Sequence, residues 1–330
     1  MLVNYFYNFD DFLYLLKLVV KRRIVKVYYT PESFPGAKKP IVTTGTFDGV
    51  HLGHQIIIKR LKELAEKEDG ETVIITFFPH PRVVLYPEDD SLKLINTQEE
   101  KIALLEKFGI DHLVIIPFTK EFSRLSSIEF VRNILVNKIG TKKLVIGYNH
   151  HFGRNREGSF EHLIEYGPVY GFEVEEIPAQ DVDNVNVSST KIRKALQEGD
   201  IKSANGYLGH PYSLRGDVVK GRAIGRQIGF PTANINIPEK YKLIPGPGVY
   251  TVDVIHQNEK YRGMLNIGNN PTINNNEQSI EVHIFDFSKD IYGNQLIVEF
   301  KDRIRNEEKF EDLEQLKRQL EKDKEIALKY

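Results

Sequence analysis

The chain has 330 residues, enough for two domains with separate cores, and its 41% apolar and 28% charged content is that of a globular protein. A formal net charge of −1 excludes a broad basic field for nucleic acid. Zero cysteines exclude disulfides and thiolate metal sites and fit a reducing, cytoplasmic setting.

Residues 1–25 read as an N-terminal extension. Its apolar run, 12–20, contains Lys17 and is too short to span a bilayer, which takes about 20 apolar residues. Asp10 and Asp11 precede that run, where a secretory signal would carry positive charge. An added surface helix, a misplaced start codon and an amphipathic membrane contact all accommodate it.

From about residue 25 to 179, short apolar runs at 41–44, 72–77, 112–117, 143–147 and 172–177 alternate with helix-like segments. Thr97 with Glu100, and Ser126 with Glu129, have the spacing of capping boxes. This rhythm predicts an α/β unit, a parallel sheet covered by helices on both faces, with ligands at the carboxyl ends of its strands. The stretch Gly45-Thr46-Phe47-Asp48-Gly49-Val50-His51-Leu52-Gly53-His54 falls at such an end, between the first strand of the repeat and an amphipathic segment. Three roles are open to His51 and His54: zinc binding, core packing, or stabilising negative charge on a nucleotide's phosphates. Further on, Ser188 is a good helix N-cap ahead of Ser189, Thr190, Lys191 and Arg193. Cations in a first turn oppose the helix dipole unless an anion lies among them. The segment is therefore either a capped, solvated helix or a phosphate site. The stretch 196–208 is the candidate junction.

After about residue 206 the rhythm changes to closely spaced strands, predicting an all-β unit, a small antiparallel barrel. Runs 248–256 and 261–267 flank the turn Gln257-Asn258-Glu259 and read as one hairpin. Runs 280–287 and 295–301, across Tyr292-Gly293-Asn294, read as a second. A charged amphipathic helix, 309–328, ends the chain. The glycine-rich stretch holding Gly221, Gly225 and Gly229 lacks both the P-loop ending and a following helix pattern. It leads to Pro231-Thr232-Ala233-Asn234, which presents hard oxygen donors suited to Mg²⁺, or else bends the chain at a barrel corner. Glu281 shares a strand face with His283, Phe285 and Phe287 by the two-residue period. It is a candidate base for a hydroxyl, or an edge carboxylate without a task.

The motifs of the first half, with Ser188-Ser189-Thr190-Lys191-Ile192-Arg193, Thr76-Phe77-Phe78-Pro79-His80-Pro81 and Gly147-Tyr148-Asn149-His150-His151-Phe152-Gly153, resemble the bacterial FAD synthetase domain of the HIGH-type nucleotidyltransferases. The second half resembles riboflavin kinase through the Gly221–Asn234 stretch, Gly248-Val249-Tyr250, Asn266-Ile267-Gly268-Asn269-Asn270-Pro271-Thr272, Glu281 and its strand, Tyr292-Gly293, and Arg305-Asn306-Glu307-Glu308-Lys309-Phe310. Phe78 and Asn149-His150-His151 depart from the first family's usual acidic residue and Asp-Phe-Arg.

The resemblance implies a Rossmann-like adenylyltransferase domain over 26–205 and a flavokinase barrel over 206–330. It implies that riboflavin and ATP give FMN and ADP, and that FMN and ATP then give FAD and diphosphate. It assigns Gly45, Phe47, Asp48, Gly49, His51, Gly53, His54, Ser189, Thr190 and Arg193 to the ATP of the first half, with His51, His54 and Arg193 catalytic. Phe77, Pro79, His80 and Asn149 would face the flavin. In the second half Gly221, Gly225, Gly229, Thr232 and Asn234 would bind ATP, with Thr232 and Asn234 at Mg²⁺, Glu281 as base and Arg305 near the flavin. The expected partners are small molecules, not nucleic acid or membrane, and self-association is compatible with this reading. The rival readings are a lone riboflavin kinase with a degraded first half, a non-catalytic flavin binder, and an adenylyltransferase for another acceptor.

Overall fold

The computed structural model describes residues 24–89, 91–148, 150–178, 187–221, 224–269 and 278–330. Residues 1–23 of the extension, Asn149, part of the glycine-rich stretch (222–223) and 270–272 of the second-half motif lie outside them.

The first half holds strands β1 (Lys26–Tyr28), β2 (Pro40–Thr44), β3 (Glu71–Phe78), β4 (His112–Pro117), β5 (Lys143–Gly147) and β6 (Glu173–Ile177). They form one sheet of order β1-β4-β3-β2-β5-β6, and every pairing is parallel. Helices α1 (Leu52–Glu68), α2 (Pro81–Leu85), α3 (Gln98–Lys107), α4 (Ser127–Phe130, running on as a π-turn) and α5 (Phe160–Tyr170) connect them. Alternate strand residues serve opposite faces, as the period of two requires. Val42, Val73 and Ile75 pack with Phe130 and Leu163, while Ile41 and Ile74 pack with Leu61 of α1 and Leu105 of α3. Burial on both faces explains why the inner strands β2 to β5 read as apolar runs, whereas the edge strand β6, Glu173–Ile177, carries three glutamates and is only partly buried. Both capping boxes form as spaced, at Thr97–Glu100 and Ser126–Glu129. Chain order reverses beside β2, whose neighbours are β3 and β5, so the turn after β2 lies at the sheet's switch point. The edge strand β1 was not predicted; three residues are too few to show a period.

Helices α6 (Ser189–Glu198) and α7 (Ile201–Leu208) occupy the stretch expected at the junction. Their buried Ile192, Leu196, Ile201, Ala204 and Leu208 share one core with the second half.

That half holds β7 (Ser213–Val219), a short helix α8 (Ile224–Gln227), β8 (Ala233–Asn236), β9 (Gly248–His256), β10 (Glu259–Asn269), β11 (Gln278–Ile284), β12 (Gln295–Arg305) and α9 (Leu313–Leu328). The strands close into a barrel of order β10-β11-β8-β7-β12-β9, lined by Leu214, Val252, Val254, Leu265, Val282, Val298 and Phe300.

The hairpin β9–β10 forms, with Gln257 and Asn258 at φ +50° and +68°, the paired positive values of a tight two-residue turn. The second expected hairpin does not. β11 pairs with β10 and β8, whereas β12 pairs with β7 and β9, because barrel closure and not sequence adjacency selects the partners. Phe287 also departs from the expected face. Asp286 adopts φ +53° beyond the end of β11, and Phe287 turns to pack on Tyr261 and His256. The terminal helix starts at Leu313 because Asp312 caps it, its side chain accepting from the Gln315 amide.

Candidate active sites

In the first half the turn from Gly45 to His51 carries three residues of positive φ: Phe47 (+49°), Gly49 (+91°) and Val50 (+41°). For Phe47 and especially β-branched Val50 this is strained backbone, which persists only where the surroundings fix it. Asp48 does much of that fixing. Its Oδ1 accepts the amides of Ile95 (2.9 Å) and Asn96 (3.2 Å), and its Oδ2 accepts Arg193 Nη2 (2.5 Å). Ser189 Oγ donates to the Asp48 carbonyl (3.1 Å), and Lys101 Nζ to the Thr46 carbonyl (2.7 Å). A Cβ at Gly49 would press on Ile95 and Leu208 at 3.1 and 3.3 Å, so the turn is also closed sterically.

The consequence is a convergence of two helix N-termini. His51 caps α1 through its backbone, making no side-chain cap bond, and Ser188 caps α6 by accepting the Lys191 amide. Both positive helix ends meet at the turn, the arrangement that binds anions. The His51 and His54 rings stack with centroids 3.7 Å apart. Burial is the main cause holding both imidazoles neutral. It pushes His51 down to about 4 and His54 well below its ordinary value. The Nδ1 atoms of both rings are buried with no hydrogen-bond partner. Buried polar atoms are seldom left so, and two side by side mark where a polar ligand fits. Thr190 lies exposed on the first turn of α6, and Gly53 lies buried in the first turn of α1.

Toward the flavin side as expected from sequence, a cis Phe78–Pro79 bond ends β3, and His80 Nδ1 accepts the Arg82 amide to cap α2. His80 is pushed down to about 4, chiefly by burial, with Asp48, Lys101 and Arg193 acting on it electrostatically. Phe77 packs with Phe118 and Phe122, whereas Phe78 stands half exposed. Asn149 lies outside the described residues.

In the barrel the site is built on strands. Glu281 lies opposite Asn234 on β8 and Asn266 on β10, in one row across adjacent strands. Ile280, Val282 and Ile284 fill the barrel core, so Glu281 and His283 take the outer face. Thr232 Oγ1 donates to Glu281 Oε2 (3.0 Å), and His283 Nδ1 donates to the Pro231 carbonyl (2.8 Å). These two bonds lash the end of the glycine-rich stretch onto β11. Gly221 approaches so closely that a Cβ there would lie 2.0 Å from Asn234 Nδ2. Gly225 lies within the short helix α8 and Gly229 follows it at φ +83°. A hydroxyl, an amide oxygen and a carboxylate form an oxygen-only set, which fits Mg²⁺.

The two sites can be set beside known proteins. Residues 35–191 match the FAD synthetase family model, and residues 208–330 match that of riboflavin kinase. A bifunctional riboflavin kinase/FMN adenylyltransferase of Listeria monocytogenes is 40% identical over 86% of this chain and 90% of its own. The one from Escherichia coli is 35% identical over 88% of this chain and 92% of its own. The chain belongs to this family. A solved structure called a macrolide-efflux protein, from Streptococcus pneumoniae, superposes with a TM-score of 0.83 at 34% identity, covering 93% of this chain and 99% of that one. Among the described residues no helix is long and apolar enough to cross a membrane.

Two arginines that the resemblance assigns to the sites have protein partners in this structure. The Arg305 guanidinium binds buried Asp323 of α9 through Nε and Nη2 (3.0 and 2.8 Å), donates to the Asn306 carbonyl and lies over Phe310, so in this structure it fastens the terminal helix. Arg193 is likewise engaged, by Asp48 and by the Lys93 carbonyl (2.8 Å from Nε). Sequence reasoning passed over Lys101, which is buried beside the histidines and lowered to about 8, mainly by burial. It also passed over His210, whose Nε2 contacts the Gly49 carbonyl (3.1 Å). Nothing in the spelling around either residue marks it as buried.

Proposed function

We propose that the two halves of this bifunctional riboflavin kinase/FMN adenylyltransferase divide its reactions as follows. The barrel, over 206–330, phosphorylates riboflavin with ATP, giving FMN and ADP. The sheet half, over 26–205, joins FMN to the α-phosphorus of ATP, giving FAD and diphosphate. Helices α6 and α7 serve both: they complete the first site while packing in the core of the second.

In the barrel Glu281 accepts the proton of the attacking ribityl hydroxyl. Thr232 and Asn234 would hold Mg²⁺, which supplies charge neutralisation on the nucleotide phosphates when bound. Gly221 lets the backbone of the glycine-rich stretch lie close against Asn234. Arg305, held by Asp323, is not carried into the flavin contact.

In the sheet half the nucleophile is an FMN phosphate oxygen, already an anion, so no base is needed. His51 and His54 donate hydrogen bonds to the ATP phosphates as uncharged groups, and Ser189 and Thr190 add the α6 terminus. Arg193 and Asp48 set the turn. His80 and Phe77 line the FMN side. The observation that carries this reading is the stacked, neutral histidine pair with orphaned Nδ1 atoms at two helix ends. The absence of cysteines supports a reducing cytoplasmic setting.

The test is incubation with riboflavin, ATP and Mg²⁺, followed by chromatography of the flavins. FMN should appear first and FAD after it. Accumulation of FMN alone would favour the lone kinase, and no ATP consumption at all would favour a flavin binder.

A further inference from the structure

We propose that Lys242, a residue of the barrel half, is a positioning residue for adenylyl transfer in the sheet half. It lies between β8 and β9, and its side chain is wholly buried, 0% exposed. Its Nζ donates to Glu100 Oε2 (2.5 Å) and to the Ile95 carbonyl (2.7 Å), and stands 4.6 Å from the ring centroid of Tyr212. The backbone beside it is tied to the same segment: the Leu94 amide donates to the Tyr241 carbonyl (2.6 Å), and the Leu243 amide to the Leu94 carbonyl (2.9 Å).

Segment 93–97 is thus clamped by the barrel on one side. On its other side it holds the strained turn of the first site. The Ile95 and Asn96 amides bind Asp48, and the Lys93 carbonyl binds Arg193. A second route runs through α3, where Glu100 faces Lys242 and the next residue, Lys101, donates to the Thr46 carbonyl. The Lys242 ammonium is therefore one peptide away from the amide donors that fix Asp48. The described hydrogen bonds of Lys242 go to Ile95 and Glu100, and none goes to Thr232, Asn234 or Glu281.

Stability alone does not explain a buried ammonium here. A buried ion pair adds little over well-packed apolar groups of the same volume, while its directed bonds fix geometry. Lys242 fixes the Ile95 carbonyl and the Glu100 carboxylate at once. Loss of that hold frees the segment to shift and costs Asp48 its backbone donors. A displacement of about 1 Å in a catalytic arrangement can lower the rate about 100-fold.

This inference rests on assigning adenylyl transfer to the turn bearing His51 and His54. In full-length protein, Lys242→Met should lower kcat for FAD formation from added FMN and ATP by about 10- to 100-fold. Riboflavin phosphorylation, measured on the same sample, should stay within about twofold. Calorimetry with a non-hydrolysable ATP analogue should still count two sites per chain. That count separates a misplaced turn from a merely unfolded half. Adenylyl transfer within about twofold of wild type in a variant that still phosphorylates riboflavin would overturn the proposal. If Lys242→Met loses both activities or one of the two sites, the double variant Lys242→Met/Glu100→Leu decides by the same comparison, since apolar groups of similar volume replace the whole pair and leave no buried charge unpaired. Selective loss of adenylyl transfer there supports the proposal, and equal or no loss overturns it. His54→Ala is the control for the underlying assignment. If it leaves FAD formation intact, that assignment has failed; if it abolishes it while Lys242→Met does nothing, only the positioning role has.

Discussion

On the proposed assignment the sheet site and the barrel site both handle ATP phosphates, yet they are assembled from opposite materials. At the sheet, two helix ends and two buried, uncharged imidazoles converge on a strained turn, and the nearby carboxylate, Asp48, is spent on backbone amides and Arg193. On the barrel wall a carboxylate, Glu281, stands beside a hydroxyl on a row of strands. The difference follows the nucleophiles. A phosphate oxygen arrives ionised and needs donors for developing charge, whereas a ribityl hydroxyl must lose a proton as it attacks. The teaching is that a base is found where the substrate has a proton to give up.

Substitutions can break this comparison from either side. The largest effect should come from Glu281→Gln, lowering riboflavin phosphorylation by about 10²–10⁴-fold, with FAD formation from added FMN retained. Steady-state assay of each half-reaction checks it, and a parallel fall in both would deny the division of labour. Next, His54→Ala should cut FAD formation by about 10²–10³-fold and leave FMN formation unchanged.

Two further outcomes sharpen the contrast through stability and not through rates. Asp323→Ala strands the Arg305 guanidinium that it binds from a fully buried position, which should destabilise the barrel by about 3–5 kcal/mol. Heat inactivation of the kinase should then precede that of the adenylyltransferase, and unchanged inactivation would show that α9 is not held by this pair. The smallest effect concerns pH. Because His51 falls from 6.5 to about 4 on folding, the unfolded chain takes up a proton first as the medium is acidified. Its contribution to stability is therefore intact above about pH 6.5 and drains away toward pH 4. Melting temperatures across that window should slope less steeply for His51→Gln; an identical slope would mean that His51 is not buried neutral.

Much of this was legible in the sequence, for physical reasons that can be named. Doubly buried parallel strands must be largely apolar, so the inner strands β2 to β5 declared themselves, whereas the edge strand β6 carries three glutamates and is only partly buried. Capping boxes and the Gln257-Asn258 turn are local, and local chemistry is written locally. Glu281, Thr232 and Asn234 were legible as a group only through resemblance, since their proximity depends on β11 pairing with β8. The failed second hairpin has the same origin: alternation shows that 280–287 and 295–301 are strands, but says nothing of which strand each will meet. Least legible were the buried charges. Lys101, Lys242 and Glu100 look like surface residues in any window of sequence; Lys101 is buried against Thr46 in the turn of the first site, and Lys242 meets Glu100 where the two halves dock.

The central claim is that two separate sites on one chain perform the two steps, with FMN passing between them. The most direct measurement mixes His54→Ala with Glu281→Gln and supplies riboflavin, ATP and Mg²⁺. Each variant alone should fail to make FAD, and the mixture should make it, because FMN formed on the first protein is adenylylated on the second. A mixture that stays as silent as its components would contradict the account.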